Sequence, residues 1–276
     1  MRNSGFQIFR FIILLVGSIS MLYPLFWMII IALKGNDDVF SLPPDWYPKE
    51  FNWENFIIGT AQIHFWKAFS NSMIIAVICT IGQIASSILV GYGLGRLRFP
   101  GRKMWFSLFI GSLMLPGFIG LIPLFHLYTS LGWYNTWLPI IVPAFFGNAS
   151  FTFLFIQFSS TIPKSFDEAA KIDGANDLRL LWSVIVPMSM PIIITMMIFS
   201  FQGSWNQYLE PVIYLVDQAK WPLAVSMASY ASTWTTQWNY FMAADLLYML
   251  PMLIIFFVGQ KYFMQGLGSV NSAGLK

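Results

Sequence analysis

The chain has 276 residues, 57% of them hydrophobic and 10% charged, with a mean hydropathy of +0.65. A soluble domain carries about a quarter charged residues, so this composition excludes one, and one domain per ~150 residues is no guide to a bundle of spans. A net charge of +3 is too small to suggest nucleic acid, and the single Cys79, inside an apolar run, excludes a disulfide framework.

Six apolar stretches approach or exceed the ~20 residues a helix needs to cross a bilayer. The first, residues 11–33, is too long for the apolar core of a cleavable signal peptide and is followed by no small-residue cleavage site, so it is expected to stay as an anchor. A polar stretch, 34–67, rich in Pro and Trp, separates it from the second span at 69–95, which ends in the basic loop Arg96, Arg98, Arg102, Lys103. Residues 104–163 hold no Asp, Glu, Lys or Arg, and spans 105–129 and 138–160 divide them, turning at 130–137. A polar island at 161–180 follows, then a fifth span at 181–201, a long loop at 205–239 and a sixth span at 240–257. The basic residues set the orientation. With both termini, the 96–103 loop and the island on one side, eleven of the fifteen Lys and Arg gather there and four lie opposite. The positive-inside rule makes that side cytoplasmic and 34–67, 130–137 and 205–239 the outer loops.

The island is where the polar chemistry concentrates. It holds four of the twelve acids: Asp167, Glu168, Asp173 and Asp177. Ser165 and Glu168 are spaced as a capping box, and Pro163 stops any helix running in from the preceding span. Asp167 and Glu168 then sit at the positive end of the helix dipole. Gly174 stands where a left-handed C′ residue is expected, which limits the helix to about two turns. Asn176 or Asp177 can cap a second helix that runs on into the next span. Ala169 and Ala170 would keep one face smooth for docking into a groove.

Elsewhere the chemistry is sparse. No phosphate-binding glycine loop, HExxH or Cys/His cluster is present, so no catalytic, cofactor or metal residue is assigned. Gly91, Gly93 and Gly95 end a span rather than follow a strand, and close helix packing is the expected use. Asp245 is the acid within a span, which makes a functional role the default; its place near the outer end allows water as an alternative. Asn206 and Gln207 could line a translocation path or simply cap a helix. The aromatic outer segments read as interfacial belts, apart from Trp234 in a Ser/Thr-rich stretch, which could meet a partner or a sugar. A carrier without an ATP site must borrow energy, from an ion gradient or from a separate ATPase. One candidate acid and no obvious repeat fit a gradient-driven carrier less well than the polar island fits a borrowed ATPase.

Glu168-Ala169-Ala170, Gly174 and Val184-Ile185-Val186-Pro187, in this order between two spans, resemble the EAA loop of permease subunits of ATP-binding-cassette importers. Val184 and Val186 stand where the family usually has Ile and Leu. Phe99-Pro100-Gly101-Arg102-Lys103, Gly203-Ser204-Trp205-Asn206, Trp221-Pro222-Leu223 and the 260–267 segment are similar to the carbohydrate-uptake branch of that family; the ending after Gly268 departs from it. The resemblance implies an all-α membrane protein with six transmembrane helices, the type I importer permease fold and a cytoplasmic coupling helix. It implies ATPase-coupling roles for Glu168, Ala169, Ala170, Asp173, Gly174 and Pro187, and contact with a binding protein through the loop holding Tyr230 and Trp234. It further implies a second permease subunit in a heterodimer, two copies of a cytoplasmic ATP-binding subunit that use ATP and Mg, an extracytoplasmic solute-binding protein, and a bacterial or archaeal cytoplasmic membrane. The expected cargo is a sugar or oligosaccharide; peptides, amino acids or another solute stay open, because EAA loops occur across the superfamily.

Overall fold

In a computed structural model, residues 4–233 and 237–273 are described, with side chains from 6 to 232 and from 237 to 261. Among them every regular element is helical. The longer ones are α1 (Ser4–Leu33), α2 (Glu54–Gln62), α3 (Phe65–Arg96), α4 (Arg102–Gly111) and α5 (Leu121–Ser130). A short α6 (Leu138–Ile141) leads through a 3-10 turn to α7 (Ala149–Ser160). The island forms α8 (Ser165–Ile172) and α9 (Asp177–Leu180), followed by α10 (Val186–Met188) and α11 (Met190–Trp205). Then come α12 (Leu209–Tyr214), α13 (Leu223–Thr233) and α14 (Trp238–Ala273). The stretches 34–67 and 205–239, expected as outer loops, are partly helical among the described residues.

Among the described residues, four helices are long and apolar enough to cross a membrane, or up to six if each of two bent pairs counts as one span. The bent pairs fall in the stretches expected as spans at 105–129 and 181–201. Arg102–Met114 and Gly117–Ser130 meet at 95°. Leu115, at φ −80° and ψ 123°, is extended because Pro116 follows it and disfavours helical backbone at the preceding residue. Asp177–Met188 and Met190–Trp205 meet at 82°. There a wide π turn over residues 181–185 precedes Pro187, and Ser189 breaks the ladder just before Pro191.

The described residues pack as two compact units, one drawn from 4–69 and 226–250 and the other from 70–225 and 251–273. In the first, Asn55 on α2 caps the end of α1, donating from Nδ2 to the carbonyls of Ala32 and Lys34 at 2.8 Å each. Lys34 is buried; its Nζ donates to the Asp45 carbonyl at 2.8 Å and lies 5.4 Å from the Trp27 ring, so its charge is solvated by the protein itself. The core of the second unit joins α3 (Ile84, Ile88, Tyr92), α7 (Phe155, Phe158), the π turn (Leu181, Ile185) and α11 (Ile192, Ile193, Met196). In lipid such packing rests on van der Waals fit more than on exclusion of water. Gly91 supplies that fit. A Cβ there would stand 2.8 Å from the Phe155 ring, so any side chain would push α3 and α7 apart. A Cβ at Gly95 would meet Ile156 at 3.4 Å, an ordinary contact, whereas one at Gly93 would meet nothing within 4 Å.

Candidate functional site

The island's helix pair is built from two local devices and one distant one. The capping box does not form. Lys164 has already entered helical backbone at φ −66° and ψ −19° and is itself the N-cap, without a side-chain bond. The Glu168 amide donates to the Lys164 carbonyl at 3.1 Å, so Ser165 lies one position too far in to cap. The C-terminal end matches expectation. Gly174 takes φ +79°, its amide donates to Lys171 at 3.1 Å, and the Ala175 amide donates to Ala170 at 2.9 Å. These are the two bonds of a Schellman ending. Asn176 then caps α9, its Oδ1 accepting from the Arg179 amide at 2.8 Å.

The distant device is Arg96, at the end of α3. Its guanidinium grips Asp167 with two bonds, Nε to Oδ2 at 3.1 Å and Nη2 to Oδ1 at 2.9 Å. It also donates to the carbonyls of Ser159, in the last turn of α7, and Ile162, just past it. The Arg96 side chain is 7% exposed and Asp167 19%, so this pair is screened from water and fixes α8 to the bundle. The Lys171–Asp177 pair, at 3.7 Å and largely exposed, adds little.

Sequence reasoning assigned Ala169 and Ala170 to one docking face; the structure separates them. Ala170 packs against the core of its own unit, whereas Ala169, Glu168, Asp173 and Gly174 are exposed. The free face also carries Phe166, 45% exposed, and Ile172, 86% exposed, which the sequence reading missed. Their signal was available: two large apolar residues on a helix otherwise solvated by acids and lysines. Pro187 is exposed just before the bend at Ser189.

A second arrangement is a polar cavity of about 160 Å³, lined by Cys79, Gln83, Asn148, Ser204, Gln207 and Glu210 among others. Gln207 Nε2 donates to Glu210 Oε2 at 2.8 Å, Gln83 Oε1 accepts from Ser200 at 2.9 Å, and Asn148 caps α7 through the Phe151 amide at 3.1 Å. The space is worth about five waters at ~30 Å³ each, enough for a small polar group. Of the three residues expected on a path, only Gln207 lines this cavity. Asn206 is exposed, with its Nδ2 donating to the Gln202 carbonyl at 3.0 Å. Asp245 lies half-buried on α14 in the other unit. Tyr230, expected to face a binding protein, is instead buried and ties its own unit together, its hydroxyl donating to Gln62 at 2.5 Å and its ring stacked on Phe241. Trp234 lies outside the described residues. Among those described, no cluster of His, Cys, Asp or Glu is placed to hold a metal ion.

Glu210 was not singled out from the sequence. Burial pushes its carboxyl above the usual range, and the bond from Gln207 opposes that shift. A raised carboxyl in the folded state binds more protons than in the unfolded chain, so stability falls as pH rises from the ordinary Glu value, about 4.3, through the raised folded value. Glu210→Gln is therefore expected to raise thermal stability at neutral pH and to remove that part of the slope. Thermal melts in detergent across this window test it; parallel profiles for the two proteins would refute it.

A helical bundle with several apolar spans, a solvated helix pair pinned to it and a polar cavity between its helices has the form of a membrane transport component. Residues 87–269 match the model of the binding-protein-dependent transport system inner membrane component family, and the chain belongs to that family. It is 31% identical over 261 residues to the probable ABC transporter permease protein YurM of Bacillus subtilis (strain 168), covering 93% of this chain and 85% of the relative. It is 31% identical over 271 residues to the sn-glycerol-3-phosphate transport system permease protein UgpE of Yersinia pestis, covering 95% and 96%. The diacetylchitobiose uptake system permease protein NgcG of Streptomyces coelicolor is 31% identical over 252 residues, covering 90% and 83%. A chain of a bacterial ABC transporter involved in the import of alginate shares the fold, with a TM-score of 0.83 over 95% of this chain and 98% of that one, at 23% identity. The protein is thus an inner-membrane ABC transporter permease component, a transport subunit rather than an enzyme in itself.

Proposed function

We propose that this chain is one half of a heterodimeric pore for a sugar or oligosaccharide, moved by two copies of a cytoplasmic ATP-binding subunit and fed by an extracytoplasmic solute-binding protein. Relatives named for glycerol phosphate and diacetylchitobiose transport support the cargo class. A second structural neighbour, with a TM-score of 0.63, is an alginate transporter in complex with an alginate pentasaccharide-bound periplasmic protein, which supports the partner. In this reading each bent pair crosses the membrane once, giving six spans with both termini cytoplasmic. ATP and Mg belong to the partner ATPases, and this chain holds no cofactor.

One observation carries the coupling role: α8 is anchored on one side by Arg96 and offers Phe166, Ala169 and Ile172 to solvent on the other. An exposed apolar face on a polar, rigidly held helix fits a groove on a partner. Glu168 and Asp173 would meet that groove's rim, Ala170 would transmit the push into the core, and Gly174 and Pro187 would set the angles of the two turns. Motion of α8 would then tilt α11 through the bend at Ser189. Gln207 and Glu210 in the polar cavity, with Asn206 and Asp245 at separate positions, are assigned to the path of the solute.

Ala169→Cys in a Cys79→Ala background is the test. In membranes holding the whole transporter, a crosslink to the ATP-binding subunit is expected, with a yield that changes when ATP is added. An inserted protein that gives no such crosslink would end the coupling reading and favour a gradient-driven carrier, with Asp245 the next residue to mutate.

A further inference from the structure

The turn between α3 and α4 opens a cavity of about 770 Å³ whose lining includes Arg98, Arg102 and Lys103 and no acid. Arg102 is committed: its guanidinium donates to the Leu94 and Gly95 carbonyls at 2.7 and 2.8 Å, closing the end of α3. Arg98 and Lys103 are exposed and have no carboxylate within ion-pair distance among the described residues. The rest of the wall is mostly apolar, with Leu94, Phe99, Phe106 and Ile156 beside the hydroxyl of Ser107. Leu94 and Phe99 also line a second cavity of about 610 Å³, whose wall includes Val90, Gly93, Trp105 and Phe109.

A cationic mouth thus opens into an apolar trough. The trough follows α4, whose 10 residues span about 15 Å at ~1.5 Å each. That is one leaflet of a hydrocarbon core ~30 Å thick. A free anion would be served by the mouth and would have no use for the trough. A neutral lipid would have no use for the cations. From this match of charge and length we propose that the groove between α3 and α4 is a binding site for an anionic phospholipid, its headgroup phosphate held by Arg98 and Lys103 and one acyl chain laid along Gly93 and Phe109. Basic pockets between membrane helices bind such headgroups for the same electrostatic reason. The site is separate from the exposed face of α8, so it does not depend on the coupling role proposed above. Because α3 also carries Arg96, an occupied groove would brace the helix on which α8 is fixed.

The full chain, extracted in mild detergent and equilibrated with phosphatidylglycerol or with phosphatidylcholine, is weighed by native mass spectrometry. One phosphatidylglycerol per chain is expected to survive detergent exchange that strips phosphatidylcholine, and excess inorganic phosphate is expected not to displace it. Arg98→Gln with Lys103→Gln is expected to lower retention about tenfold or more, the order that two cations contribute toward an anionic lipid; Arg102 is left in place to hold α3. Gly93→Phe is the second arm. Its side chain has room to enter the trough, since nothing lies within 4 Å of a Cβ there, and it is expected to evict the lipid with both cations intact. Equal retention of the two lipids, or retention unchanged in the double variant, would overturn the site. Displacement by phosphate, or indifference to Gly93→Phe, would assign it to a soluble anion instead.

Discussion

Arg96→Ala is expected to leave the protein inserted in the membrane but to abolish uptake by the assembled transporter. The guanidinium satisfies Asp167 and two backbone carbonyls at once, and both side chains of the pair are largely screened from water. Removing one partner of a buried pair costs about 3–5 kcal/mol, because the other charge is left without compensation. The partial exposure of Asp167 places this case near the low end, about 3 kcal/mol, still more than a hundredfold in the equilibrium between docked and undocked α8. Two readouts separate the local effect from its consequence. Hydrogen exchange in 164–176 is expected to quicken in the variant whether or not the chain is a transporter, and uptake is expected to fall with it. Arg96→Lys is expected to rescue only part, since an ammonium cannot make the paired bonds to a carboxylate while also meeting both carbonyls. In a double-mutant cycle, adding Asp167→Ala to Arg96→Ala is expected to recover stability by removing the stranded charge. Unchanged exchange in 164–176 would show that the pair does not hold α8. Faster exchange with normal uptake would show that α8 need not be held.

What was legible in the sequence was whatever is written locally. Charge-free blocks marked the apolar stretches, because the cost of a charge in hydrocarbon is paid residue by residue. Gly174 was legible because a glycine after a short amphipathic helix has one common use, and Asn176 because its cap depends on a residue three positions on. The Arg96–Asp167 grip was not legible, since its partners are 71 residues apart and each had a plausible local duty, one as a cytoplasmic charge and one at a helix dipole. The failed capping box shows the limit even of local patterns. Ser165 and Glu168 have the right spacing, but Lys164 enters the helix first and moves the cap by one residue. The 95° and 82° bends were signalled by Pro116, Pro187 and Pro191, yet a hydropathy window averages over a kink because lipid-facing composition does not change across it. Glu210 drew no attention in the sequence; it is half-buried because the 3-10 turn after α6 and the end of α11 wall the same cavity, which no local pattern records.

Gly174→Val is expected to stop uptake with insertion intact, whereas Gly174→Asn is expected to keep most of it. The two substitutions differ in the backbone alone. Nothing lies within 4 Å of a Cβ built at Gly174, so neither side chain meets a steric wall in the folded protein. The conformation at φ +79° decides the outcome. A left-handed backbone costs an ordinary residue about 1–2 kcal/mol and more when the side chain is β-branched, while Asn visits it readily. Valine would therefore be relieved by letting the chain leave that conformation. The bonds from Gly174 to Lys171 and from Ala175 to Ala170 would then open, and α8 would lose both its ending and its angle to α9. Because α9 runs through the π turn into the bend before α11, an error in that angle is carried into a span rather than absorbed in a loop. Uptake by the two variants at matched membrane levels is the measurement. If valine transports as well as asparagine, the angle between α8 and α9 is not what couples the island to the spans, and the rigid grip of Arg96 would have to carry that coupling by itself.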